Sequence, residues 1–226
     1  MATKIIDDPD FSALEVTFDR AGDSLLVESG AMLARDSGVE MKTSMRGGVL
    51  ASAKRKLLGG ESLFMNTFTA THAGQRLWVA PPCEGDIIQR ELAGETVFVQ
   101  SGAYLASTPG LELDTKWAGV KGFFASGNLF FVKASGTGTL FAQAYGGLVK
   151  MRLDGQGMVV DTGHVVAFSD GLEYSIRKFG GFKGLFFSGE GLVAEFRGTG
   201  DLWIQSRNPS SLASFVRPYR PQRSAD

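Results

Sequence analysis

The chain has 226 residues, 43% of them hydrophobic, enough to bury a sizeable core and to argue against general disorder. With 23 Lys and Arg against 24 Asp and Glu, the net charge is −1, so nothing attracts the whole molecule to a phosphate backbone and nucleic acid is not an expected partner. The single cysteine, Cys83, excludes an intramolecular disulfide framework and a cysteine zinc cluster; it is expected to be a small, partly buried residue in a reducing compartment.

In chain order, the opening "MATKIIDDPDFSALEV" is acidic and lacks an apolar run, so it predicts neither a secretory signal nor a transit peptide. No stretch approaches the roughly 18 apolar residues of a membrane span, and the expected location is the cytoplasm, at most peripheral to the inner face of a membrane. "GDSLLVESGAMLARDSGVEM" from Gly22 reads as short strands between glycine turns. The one predicted helix follows, "VLASAKRKLL" from Val49 to Leu58, where alanine, leucine and lysine dominate. Strand patterns return in "GESLFMNTFTATHAGQRLWVA" from Gly60, "GETVFVQSGAYLASTPGLEL" from Gly94 and "GNLFFVKASGTGTLFAQ" from Gly127. They continue in "GQGMVVDTGHVVAFSDGLEY" from Gly155 and "GEGLVAEFRGTGDLWIQ" from Gly189. Residues 211–226, ending "RPYRPQRSAD", are proline-rich and basic and predict a mobile tail.

These segments form three blocks. Gly30, Gly102 and Gly163 correspond without a gap, as do Gly38, Gly110 and Gly171, and Glu40, Glu112 and Glu173. In the second halves, Gly136-Thr-Gly138 matches Gly198-Thr-Gly200, while the first block is longer in two places. A unit of this size is marginal alone, so the repeats, about 11–92, 93–153 and 154–209, are expected to share one β body over residues 1–210. A closed, pseudo-threefold arrangement is the expected geometry. Edge strands need covering, which predicts a homo-oligomer, a trimer or a hexamer.

"ESGAM", "GVEMKT", "GGESLFMNTFTA", "VAPP", "DTKWAGVKGFF", "DTGHVVAF" and "FFSGEGLV" together resemble the family named for altered inheritance of mitochondria, protein twenty-four. The resemblance spans about residues 11 to 209. It implies an all-β, tryptophan-RNA-binding-attenuator-like sandwich, related to double-stranded β-helices and present in three similar parts. The family's mitochondrial members are linked to inner-membrane organisation, which implies a scaffold; the attenuator-like fold implies, as the alternative, a small-ligand- or RNA-binding module.

Catalytic chemistry is hard to find. His72 and His164 occupy non-equivalent places and lack the convergent partners a metal needs, so neither metal nor cofactor is expected. "GEGLVA", Gly189 to Ala194, fits a dinucleotide fingerprint formally, but a strand pattern follows it where a helix is required. Under threefold symmetry Glu40, Glu112 and Glu173 either converge near the axis, where they share a proton or a cation, or diverge into solvent. Before each second half, "SMRGGVLASAKRKLLGG", "KWAGVKGFFASG" and "KFGGFKGLFFSG" mix basic and bulky apolar residues. Arg46, Lys54, Arg55, Lys56, Lys121 and Lys183 then ring Phe123, Phe124, Leu185 and Phe186 on one face suited to an anionic membrane surface or a protein partner. The expectation is a non-enzymatic, oligomeric scaffold or binding protein.

Overall fold

A computed structural model describes residues 1–45, 64–114, 129–178 and 192–220. Within these the chain is nearly all antiparallel β, as the runs of β-branched and aromatic residues between glycine turns require. A first strand, β1 (Ala2–Ile6), precedes β2 (Ala13–Thr17), β3 (Ser24–Glu28), β4 (Met32–Arg35), β5 (Val39–Met45), β6 (Phe64–Ala70) and β7 (Arg76–Val79). Next come β8 (Ile87–Ala93), β9 (Val97–Gln100), β10 (Tyr104–Ser107), β11 (Leu111–Asp114) and the long β12 (Phe131–Gln143). The last set is β13 (Leu148–Asp154), β14 (Met158–Asp161), β15 (Val165–Ser169), β16 (Leu172–Lys178) and β17 (Leu192–Gln205).

The same partnerships occur at three places along the chain. Four strands, β8, β9, β10 and β11, all pair with β12. Likewise β13, β14, β15 and β16 all pair with β17. In the first block the long strand is divided: β3 and β5 pair with β6, whereas β2 and β4 pair with β7. The division falls at Thr71–Gln75, the second of the two places where the first block is longer.

A long strand serves two sets of neighbours by changing partners at its Gly-Thr-Gly turn. Phe131 to Gly136 meet β9 and β11, and Thr137 to Gln143 meet β8 and β10. At that point Gly136 has φ +107 and Gly198, its counterpart, φ +113, a region open to glycine and strained for other residues. Across from them a Cβ on Gly110 would stand 2.2 Å from the Thr137 carbonyl oxygen, and one on Gly171 2.0 Å from that of Thr199. Gly110 and Gly171 therefore mark backbone-on-backbone contacts.

β8 falls at the end of the first block as delimited in sequence, yet it pairs along its whole length with β12 of the second; β13 pairs likewise with β17. The second and third blocks thus each begin a strand earlier than the sequence boundaries place them. Three clusters of buried side chains are centred on the blocks, and each takes in residues of a neighbouring one. One is built on Leu14, Phe18, Leu25 and Phe68, a second on Val99, Tyr104, Leu111 and Leu140, and a third on Phe168, Phe196, Val165 and Leu202. In the third, Phe168 stacks on Phe98 of the second block at 4.9 Å and takes Phe131 edge-on at 5.0 Å. Such rings each stabilise the fold by roughly 1.5–3 kcal/mol on burial, and here they also tie neighbouring blocks together.

Two sequence expectations change. The tail begins later than expected, because a helix, α1 (Pro209–Val216), occupies its start: Pro209 opens it and the Asn208 side chain accepts a hydrogen bond from the Ser210 N–H. The expected closed body is not formed by sheet pairing, since β4 of the first block and β14 of the third do not pair with each other. The helix expected at 49–58 lies outside the described residues.

Candidate functional site

A cavity of about 690 Å3 opens where the ends of the three blocks meet. The chain leaving β7 supplies Pro81, Pro82 and Cys83, the turn after β9 supplies Gln100 to Ala103, and the end of β12 supplies Gln143 to Tyr145. From the third block come Thr162, Gly163 and Val165, together with Gln205 at the end of β17 and Asn208 to Ser210 at the start of α1. Among the described residues the lining carries amides, hydroxyls, one thiol and apolar groups, and no charged side chain. Its volume lies within the range of small-molecule sites.

Two glutamines organise the polar part. Gln143 and Gln205 hold the same place in the second and third blocks, each three residues after the matched leucine. Gln205 donates from Nε2 to the Gly163 carbonyl at 3.0 Å and accepts at Oε1 from the Tyr145 N–H at 2.8 Å. Gln143 donates from Nε2 to the Gly102 carbonyl at 2.9 Å and to Glu28 Oε2 at 3.2 Å. Its Oε1, however, is buried without a partner among the described residues, in a residue only 6% exposed.

The cause is written in the sequence. By the same register Pro82 of the first block stands where Tyr145 stands in the second. Tyr145 gives its N–H to the next block's glutamine; Pro82 has none to give. A buried carboxamide oxygen is thereby left without a partner among the described residues, in a side chain that lines the cavity, at a cost of about 1–3 kcal/mol unless a donor reaches it.

The surroundings are hydrogen-bonded and closely packed. Gly163 donates to Asp161 Oδ1 at 2.8 Å, and His164 places Nδ1 2.7 Å from the Gln205 carbonyl oxygen, a structural bond to the strand end. A Cβ on Gly163 would lie 2.1 Å from Asn208 Nδ2, so the turn after β14 packs directly against the cap of α1. Cys83 is exposed at the rim, not partly buried as its type suggests, because it follows two prolines that carry the chain off β7 toward the surface. No histidine or carboxylate shares the lining with it among the described residues.

The other predicted residues fall as follows. Arg46, Lys54, Arg55, Lys56, Lys121, Phe123, Phe124, Lys183, Leu185 and Phe186 lie outside the described residues. Glu40, Glu112 and Glu173 stand at equivalent positions on β5, β11 and β16, all exposed, opposite Thr69, Ser135 and Arg197. They point to solvent from three outer strands, and no group of three or more metal-ligating side chains gathers among the described residues. His72 is exposed beside the Thr71 hydroxyl at 3.0 Å. At "GEGLVA", Leu192 opens β17, a strand in the place where a dinucleotide site needs a helix. No described helix is long and apolar enough to cross a membrane. Sequence reading missed Gln143, Gln205 and Pro82; the signal was the glutamine shared by "LFAQ" and "LWIQ", replaced in the first block by "WVAPP".

The molecule is thus an antiparallel β protein in which three sets of strands meet at an uncharged, amide-lined cavity. The chain belongs to the family described as Mitochondrial biogenesis AIM24, whose model matches residues 3–207. It is 32% identical over 222 residues to an uncharacterised protein of Streptococcus pyogenes serotype M6, covering 95% of this chain and 89% of that one. It is also similar to a crystal structure of a Streptococcus pyogenes protein, with 30% identity, a TM-score of 0.80, and coverage of 97% of this chain and 99% of the other.

Proposed function

We propose that this protein is a non-enzymatic binding protein, three attenuator-like repeats around a shared cavity, whose ligand is an uncharged small molecule with a hydrogen-bond donor beside an apolar portion. The observation that carries this reading is the unpartnered Gln143 Oε1, in a residue lining a cavity whose described lining bears no charge. A charged ligand would leave water without a counter-charge, whereas an amide or hydroxyl donor satisfies the oxygen that Pro82 leaves unpaired. Leu129, Phe130, Val165 and Leu192 offer the apolar contact. A second feature favours binding over catalysis: Cys83, the nucleophile at the rim, has no base beside it in the described lining.

The test is ligand-observed NMR with benzamide, which joins an N–H donor to a ring, and with benzoate, its charged counterpart. Benzamide is expected to bind the wild-type protein and to lose binding to Thr162→Trp, which fills the cavity, while benzoate binds neither. Equal binding of both probes, or of benzamide to both proteins, would contradict the reading.

A further inference from the structure

Independently of the cavity, the strand registers identify a docking surface for a second copy of this chain. The blocks are joined to one another by two antiparallel pairings. At the first junction β10 lies on β3, with Ala106 opposite Val27 and Ser107 opposite Leu26. At the second β15 lies on β9, with Ala167 opposite Val99 and Phe168 opposite Phe98. In the gapless register of the blocks Val27 and Val99 are one position, and Ala106 and Ala167 are another. Both junctions are therefore the same joint, made twice.

A third set of the same edges is left over. The counterpart of β3 and β9 is β14, whose sole described partner is β17, and the counterpart of β10 and β15 is β4, whose sole described partner is β7. The exposures show what the joint covers. Leu105 and Val166 are 0% and 1% exposed at the two made junctions, whereas Leu33, in the same position on β4, is 62% exposed. Met32 is 41% exposed where Tyr104 is 0%, and Val159 of β14 is 56% exposed where Phe98 is 8%. β4 also carries the register shift seen in β10 and β15 at the corresponding residues, so it already has the shape of a joining strand. The short segments before β2, β8 and β13 repeat the pattern: Phe11 bridges Gly85 and Gly85 bridges Gly146, with no bridge from Gly146 back to Phe11.

We infer that β14 of one copy pairs antiparallel with β4 of another, setting Val160 opposite Ala34 and Val159 opposite Arg35. An unpaired, apolar strand edge is a template for further pairing, and here it has a complementary edge on the same molecule, at the other end of the array. The interface is head-to-tail, continuing the sheets from copy to copy into a ring or a chain.

The test uses two single-cysteine proteins in a Cys83→Ser background, Ala34→Cys and Val160→Cys, oxidised separately, mixed, and combined in one chain. Opposed residues of an antiparallel pair bring their Cα atoms to about 4.5–5.5 Å, within disulfide reach. The expected result is a disulfide-linked dimer in the mixture and not with either protein alone, and a ladder of multimers from the double variant. Val159→Lys, an exposed substitution whose folding is checked by circular dichroism, is expected to shift the Cys83→Ser parent from oligomer to monomer in sedimentation velocity. A mixture that cross-links no more than its components, a double variant that closes only within its own chain, or a parent that sediments as a monomer would overturn the proposal.

Discussion

Gln143 gives its side-chain N–H to the Gly102 carbonyl at 2.9 Å and so fastens the end of β12 to the turn that lines the cavity. Gln205 does the same for Gly163 at 3.0 Å, but it is also closed off by Tyr145. Replacing the two should therefore have unequal consequences. Gln205→Leu strands the Gly163 carbonyl and the Tyr145 N–H, for an expected loss of about 1–3 kcal/mol per buried group left unpaired. Gln143→Leu strands the Gly102 carbonyl and takes one donor from the half-buried Glu28 carboxylate, but it also removes an acceptor already without a partner, so it should cost less. Urea unfolding of the two variants, read as midpoints at constant slope, checks the order.

Pro82→Ala separates binding from stability. It restores an N–H where Tyr145 has one, giving Gln143 Oε1 a donor worth about 1 kcal/mol. Losing a proline costs about 0.4–1 kcal/mol through the unfolded chain, so the melting temperature should hardly move. Benzamide affinity should fall, because the open acceptor is filled. Calorimetric melting alongside the NMR titration reads both.

The matched glycines divide by what faces them. Gly110 and Gly171 confront backbone carbonyls of Thr137 and Thr199, which cannot turn aside, and Gly110→Ala or Gly171→Ala should each destabilise the protein by about 1–3 kcal/mol. Gly38 confronts the Nε2 of Gln75, the end of a flexible side chain, so Gly38→Ala should cost less. Equal losses at the three sites in chemical denaturation would contradict this account of the turns.

The β class and the turn glycines were legible in the sequence because they rest on local rules: strand period and glycine at tight contacts. Gly110 and Gly171 could be named before any coordinates. The order of joining was not legible. Leu33, Leu105 and Val166 are alike as residues, and only the pairings show that two are sealed at junctions and one is left at an edge. The glutamates were left undecided for a related reason: equivalence in sequence set their place on β5, β11 and β16 but not the direction of their side chains, which are exposed. Pro82 was visible in "VAPP", yet its meaning is a missing N–H opposite a glutamine far along the chain.

Asp86 stands just before β8, its carbonyl accepting from the Ala144 N–H at 2.9 Å beyond the end of β12. Burial, and then a hydrogen bond to Asp8, push its carboxyl up from 3.8 to about 6, against the pull of the Ile87 and Leu148 N–H groups. The folded protein thus holds this proton more tightly than the unfolded chain does. Its contribution is most favourable when the carboxyl is protonated in both states, declines as pH rises from about 4 to about 6, and is flat above that. Asp86→Asn should flatten the stability profile in that window, as measured by melting temperature from pH 4 to 7. A steeper slope in the variant would contradict the assignment.

The claim that Gln143 Oε1 awaits a donor from a bound molecule is tested most directly by a high-resolution crystal structure of the protein soaked with benzamide. The account predicts benzamide in the cavity with its nitrogen at about 2.7–3.2 Å from Gln143 Oε1. A cavity without benzamide, or a Gln143 Oε1 already bonded to a donor of the protein's own chain, would contradict it.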